Sequence, residues 1–196
     1  MIKFMAKGAN LHKNSLQALT TPLSKGEFLF RPGRGEIHQL IEGKILNYHL
    51  FLRQNLAVLD TACAMIKSLS SSQLLGKPAP KLYQLFLCYL RHLPSMKAPR
   101  NLLNSFYLKI LRHDGLILFK NHCTRCSKSL TSTYVVQGES FCQKHAENKR
   151  FEFSQEESYL LQILSSCRTI SQIKDLVLEN IFEEKIHLLF RDIIGK

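Results

Sequence analysis

The chain has 196 residues, 45% of them hydrophobic, six of them cysteine, and it carries a net charge of +12. That composition is globular rather than disordered, and no apolar run approaches the roughly 18 residues of a membrane-spanning helix. The positive charge points to a polyanionic partner, because bound Lys and Arg release counterions from phosphates. It is unevenly placed: residues 1–53 carry 8 Lys/Arg against 3 Asp/Glu, residues 54–150 carry 14 against 4, and residues 151–196 carry 5 against 8. The start, from Met1 to Lys7, lacks the long apolar stretch of a secretory signal. Cys63, Cys88 and Cys167 lie in apolar stretches and read as buried thiols of a reducing compartment, so the expected location is the cytoplasm.

Residues 1–46 read as strands. Ile2 to Ala6 and Glu27 to Arg31 are short apolar runs, Pro32-Gly-Arg-Gly is a turn signal, and Glu36 to Leu46 alternates. From about Asn47 the period changes to a helical one, and Leu50, Leu56, Leu59, Cys63, Ile66 and Leu69 predict a helix over 47–69. Ser70-Ser-Ser breaks it, and Gly76-Lys-Pro-Ala-Pro is a loop. Leu82 to Leu93 is a second amphipathic helix between two prolines. Pro99 opens a third, with Leu102, Leu103, Phe106, Ile110 and Leu111 on one face, and Gly115 ends it. Ser154 with Glu157 three residues later is a capping box for a helix through Leu164. Two more helices follow, from Ser171 to about Glu179 and from about Glu183 to Ile194. The leucine and aromatic stripes of these helices are core positions rather than a cofactor box.

Cys123-x2-Cys126-x15-Cys142-x2-His145 is the sharpest motif in the chain. Two ligand pairs, each two residues apart and joined by a hairpin-length spacer, are what one tetrahedral Zn²⁺ requires. Tyr134, Val135, Val136 and then Gly138 can fold the spacer back and bring the second pair to the first. His122 adjoins the first cysteine and is the alternative fourth ligand, and the knuckle spacing favours His145. Four protein ligands leave no open coordination position, so the expected zinc is structural. The ordered signature H-x-E followed by P-C-x-x-C does not occur in the sequence, which argues against a zinc deaminase.

The order of these segments, rather than any one string, resembles the bacterial recombination mediator RecO family over nearly the whole chain. Ala6-Lys7-Gly8-Ala9 with Ser15 and Ala18-Leu19 looks like that family's third barrel strand and basic loop. Gly33-Arg34-Gly35-Glu36 with Leu40-Ile41-Glu42-Gly43 resembles its last barrel strands. Phe106-Tyr-Leu-Lys-Ile-Leu111, Gly115 and Cys123-x2-Cys126 resemble the helix that enters its metal site, and Lys185 to Phe190 its last helix. The resemblance implies an α+β fold. An OB-fold β-barrel, lacking its first two strands here, precedes a helical bundle that carries an inserted zinc knuckle. The expected divisions are 1–46 for the barrel segment, 47–121 for the helical domain, 122–150 for the zinc insertion and 151–196 for the closing helices. It also implies a segment upstream of Met1.

The function implied by the resemblance is a non-enzymatic mediator of DNA repair. Such a protein binds and anneals single-stranded DNA and, with RecR, assists RecA loading onto DNA coated by the single-strand-binding protein SSB. Implied partners are single- and double-stranded DNA, RecR, the SSB C-terminal tail, RecF and RecA. Candidate phosphate contacts are Lys7, His12, Lys13, Lys25, Arg31 and Arg34, with Arg34 on a glycine-flanked turn. Phe4, Phe28 and Phe30 can stack bases or fill the core. Arg100, Lys109 and Arg112 are candidates for receiving the acidic SSB tail. Two alternatives stand beside this reading: a zinc-ribbon protein that binds RNA or duplex, and a zinc-containing interaction module that binds only proteins. Phosphate-binding, nucleophile-elbow and H-E-x-x-H motifs are absent from the sequence, which argues against an enzyme.

Overall fold

The apolar runs before residue 48 form strands β1 (Lys3–Met5), β2 (Lys25–Arg31) and β3 (Ile37–Asn47). β3 lies between the other two, parallel to β1 and antiparallel to β2. The structure is a computed structural model and describes residues 2–7, 19–147 and 149–195. Among the described residues this sheet is open, not closed into a barrel, and the outer edges of β1 and β2 have no strand beside them. Gly33 is required in the β2–β3 turn, because a Cβ there would stand 2.3 Å from the Ile37 carbonyl oxygen.

The predicted helix over 47–69 begins later than its hydrophobic period suggests. His49 adopts a left-handed conformation with φ 47°, and its Nδ1–H donates to the Leu23 carbonyl at 2.8 Å. A 3-10 turn (Leu50–Gln54) follows, and then Asn55 caps helix α1 (Leu56–Ser72) by accepting from the Val58 N–H. The serines extend α1 rather than break it, since the Ser70 and Ser71 hydroxyls donate to the Ile66 and Ser68 carbonyls of the preceding turn.

Helix α3 (Pro99–His113) starts at the expected proline, and α2 (Pro80–His92) starts on Pro80, two residues before its expected Leu82. Strands β4 (Thr133–Val136), β5 (Glu139–Phe141) and β6 (Glu152–Phe153) form a second sheet, in the order β5-β4-β6. Three helices follow: α4 (Gln155–Ser166), α5 (Ser171–Lys174) and α6 (Asn180–Ile194). Both halves of the Ser154/Glu157 capping box form at the start of α4. α5 stops five residues short of its expected end. The Asn101 amide of α3 donates to the carbonyls of Ile173, at the end of α5, and of Leu176, just past it, at 3.1 and 2.8 Å.

The chain divides into two compact units, residues 1–83 and 84–196. In the second, α3 is the central element. Nine of its fifteen residues are buried, which is why its sequence is apolar on more than one face. It packs against α4 and α6, and the Phe106 ring meets Phe86 and Tyr89 at 6.0 and 5.9 Å. A side chain of this kind contributes about 2–3 kcal/mol by leaving water. The result is a mixed α+β chain. No helix among the described residues is long and apolar enough to cross a membrane.

Candidate metal centre and basic surfaces

Cys123, Cys126, Cys142 and His145 converge, and their ligand atoms all lie within 4.8 Å of one another. The local sequence explains the convergence. The spacer folds into the β4–β5 hairpin, in which Tyr134 faces Phe141, Val135 faces Ser140 and Val136 faces Glu139. Its two turn residues, Gln137 and Gly138, both have positive φ (50° and 83°), the geometry that matches the strand twist of a two-residue hairpin. A Cβ on Gly138 would lie 1.8 Å from the Leu116 carbonyl oxygen. The Leu118 N–H donates to the Gly138 carbonyl at 2.8 Å, so the turn is seated on the segment leaving α3.

Each ligand pair sits on its own tight turn. In the first, the Cys123 N–H donates to the Lys128 carbonyl (2.8 Å), the Ser127 N–H donates to the Cys123 carbonyl (2.9 Å), and Ser127 adopts φ 58°. In the second, the N–H groups of His145 and Ala146 both donate to the Cys142 carbonyl, at 2.9 and 3.0 Å. Ser140 ties the first turn to β5: its carbonyl accepts from the Thr124 N–H at 2.9 Å and its hydroxyl from the Lys120 N–H at 3.1 Å.

The distances within the cluster fit a tetrahedral ion. Zinc–sulfur bonds of about 2.3 Å place two sulfurs about 3.8 Å apart, and a sulfur and an imidazole nitrogen about 3.6 Å apart. Cys126 Sγ and Cys142 Sγ are 3.9 Å apart, while His145 Nδ1 lies 3.6 Å from Cys123 Sγ and 3.4 Å from Cys142 Sγ. The electrostatics fit as well. Burial pushes the Cys123 thiol up, but the N–H groups of Cys142, Cys126 and Arg125, together with His145, outweigh it and bring the thiol down to about 5. At Cys126 the Lys128 N–H favours the thiolate, yet burial and the neighbouring Cys123 and Cys142 sulfurs hold the thiol above its ordinary value. Thiols held in each other's way in this manner are relieved when a divalent cation takes their protons' place. His122 is exposed, pairs through its backbone with Ser129, and does not belong to the converging four.

The sheet cations are not gathered at one point. Arg31 and the exposed Arg34 stand at the β2–β3 turn. Lys25 is at the other end of β2, about 20 Å away at 3.3 Å per residue. Lys7 is exposed just beyond β1, and His12 and Lys13 lie outside the described residues. Phe4 contacts Phe28 and Phe30, with ring centroids 6.4 and 5.1 Å apart, and Phe30 stacks on His38 at 5.4 Å. Phe4 and Phe28 keep 38% and 36% of their surface in solvent, so the cluster is a half-open aromatic face rather than a closed core.

The three candidates for the acidic tail each have an internal partner. Arg100 pairs with Glu183 at 3.4 Å. Lys109 donates to the Cys167 carbonyl at 2.7 Å and Arg112 to the Ser165 carbonyl at 3.4 Å, so both cap the C-terminal end of α4 from α3. Sequence reasoning passed over Lys144, an exposed cation between the second pair of ligands, and the residues flanking the hairpin turn. The signal for both was available: whatever lies between two converging ligand pairs is carried to the same place as the ligands.

A helical core interrupted by a Cys3His hairpin, in a chain with a large excess of positive charge, is the architecture of a basic module whose four converging side chains could hold a metal ion. The family model for the Recombination protein O C terminal region matches residues 53–194, and the chain belongs to the RecO family. It is 29% identical over 196 residues to a DNA repair protein RecO of Chlamydia trachomatis serovar L2, covering 98% of this chain and 80% of that protein. It is 30% identical to that of Chlamydia muridarum, over 87% of this chain and 73% of the relative. The DNA repair protein RecO of Chlamydia pneumoniae is 29% identical, over 97% of this chain and 76% of the relative.

Proposed function

We propose that this chain is a cytoplasmic, nucleoid-associated mediator of DNA repair and recombination that acts without catalysis. It binds and anneals single strands and, with RecR, assists RecA loading onto SSB-coated DNA, with RecF as a further partner. The observation that carries this reading is the Cys3His cluster, set within the very region that matches the RecO C-terminal family. In this reading the ion is one structural Zn²⁺ on Cys123, Cys126, Cys142 and His145. It supplies folding free energy and holds the hairpin, and no chemistry passes through it.

The open sheet stands for the OB-fold of the family, with Lys7, His12, Lys13, Lys25, Arg31 and Arg34 contacting phosphates. Phe4 and Phe28, still half in solvent, are available to stack bases. Arg100, Lys109 and Arg112 line the approach of an acidic tail, and such a ligand must compete with their internal partners. The second reading, an interaction module for protein partners alone, is favoured by one observation: the sheet cations are spread along β2 instead of forming one groove.

The test is stopped-flow annealing of complementary oligonucleotides, naked and coated with cognate SSB, by the zinc-loaded chain at several salt concentrations. Salt-sensitive acceleration that survives the coating supports the mediator reading. No acceleration of either substrate overturns it and leaves the interaction module.

A further inference from the structure

Beside the metal cluster the second unit carries a cleft of about 470 Å³, within the size range of small-ligand sites. Its apolar lining is Val136 and Phe141, and its polar lining includes Thr124, Gln137 and Glu139. The Thr124 hydroxyl is buried without a hydrogen-bond partner, a cost that a bound polar group would relieve. Glu139 and Glu147 both line the cleft, so a phosphate would be repelled from it, and what suits it is a flat group that donates hydrogen bonds. Arg125 shares the lining, Lys128 and Lys144 are exposed on the two ligand turns, and none of the three has an ion-pair partner among the described residues. Residues 120–150 hold six Lys/Arg against two Asp/Glu, so the excess persists after the single negative charge of three thiolates on a divalent ion is counted.

We propose that this cleft binds one unpaired base of a single-stranded nucleic acid, guanine best, while Arg125, Lys128 and Lys144 take the flanking phosphates. A base lies against Phe141 and Val136, and the Glu139 carboxylate accepts from it. Guanine presents two adjacent donors, N1–H and the N2 amine, which match the two oxygens of one carboxylate, whereas thymine presents a single N–H. In a duplex the N1–H is already paired, so the site selects single strands. The inference rests on the nucleic-acid-binding reading above but uses none of the sheet residues.

The zinc-loaded full chain is titrated with a labelled dT15, with the same strand bearing one central dG, and with a blunt duplex of that length. The single dG is expected to tighten binding about fivefold over dT15. Glu139→Gln should abolish that difference while leaving bound zinc unchanged. Arg125→Ala/Lys128→Ala/Lys144→Ala should weaken both single strands at least tenfold and lower the slope of log K against log salt by about 2. The control is Arg31→Ala/Arg34→Ala. Equal affinities for dT15 and the dG strand, or a charge-removed triple variant that binds as tightly as the parent, overturn the inference. If only the sheet variant is impaired, the proposed function survives without this site. Binding to none of the three nucleic acids overturns both.

Discussion

Asn101 shows how one side chain can decide where an element ends. It is fully buried, and its amide donates to one carbonyl in the last turn of α5, that of Ile173, and to one beyond it, that of Leu176. Asn101→Ala leaves those carbonyls unpaired, and we expect a loss of about 2–3 kcal/mol in urea-induced unfolding, with faster amide exchange confined to residues 171–178. The ligands are a second case. Cys126→Ser should bind zinc at less than one-tenth of the parent's stoichiometry when measured by chelator release, because serine neither ionises nor ligates as thiolate does. His122→Ala should bind a full equivalent, since that ring is exposed and apart from the converging four.

At the scale of elements, the hairpin turn at Gln137–Gly138 links the metal ligands to the segment after α3. Gly138→Ala combines strain at a positive φ with a Cβ driven into the Leu116 carbonyl. It should cost about 2–4 kcal/mol and weaken zinc binding, read by thermal unfolding and by competition with a chromophoric chelator. The hairpin was legible from Gly138 and the β-branched run before it, because turn chemistry and alternation are local properties. The start of α1 was not. Leu50 keeps helical spacing with Leu56 and beyond, and the break depends on His49 reaching Leu23, a contact 26 residues away that no local pattern encodes. The end of α5 failed for the same reason, its arbiter being Asn101, 72 residues earlier in the chain. The four ligands could be named in advance because metal spacing is a local rule. The cleft could not, since its walls come from the first knuckle, the hairpin, His145 of the second knuckle and Glu147 beyond it.

For the whole molecule the dominant quantity is the charge of +12. If the mediator reading holds, affinity for single strands falls with salt, by a slope of about 0.7 for every phosphate engaged. Chelation should act on one unit in part: the hairpin and knuckles lose order, whereas the packing of α3 with α4 and α6 survives because it uses no ligand residue. The expected outcome is a lost or broadened set of amide signals from about residue 120 to 150, with most helical circular dichroism retained.

Among the described residues the outer margins of the first sheet are open, which carries a practical consequence. Met5, Leu29 and Ile37 keep 49%, 56% and 52% of their surface in solvent, and the strands at either margin bear Lys3, Lys25 and Arg31. Two such margins approaching one another meet like charges first and apolar side chains second, which is how cationic edges keep strands from adding to each other. Salt weakens that repulsion. The concentrated protein should therefore self-associate more as salt rises, while its grip on nucleic acid loosens. Sedimentation velocity at low and high ionic strength would separate the two trends, and the buffer that best limits self-association is the one in which nucleic acid contamination is hardest to remove.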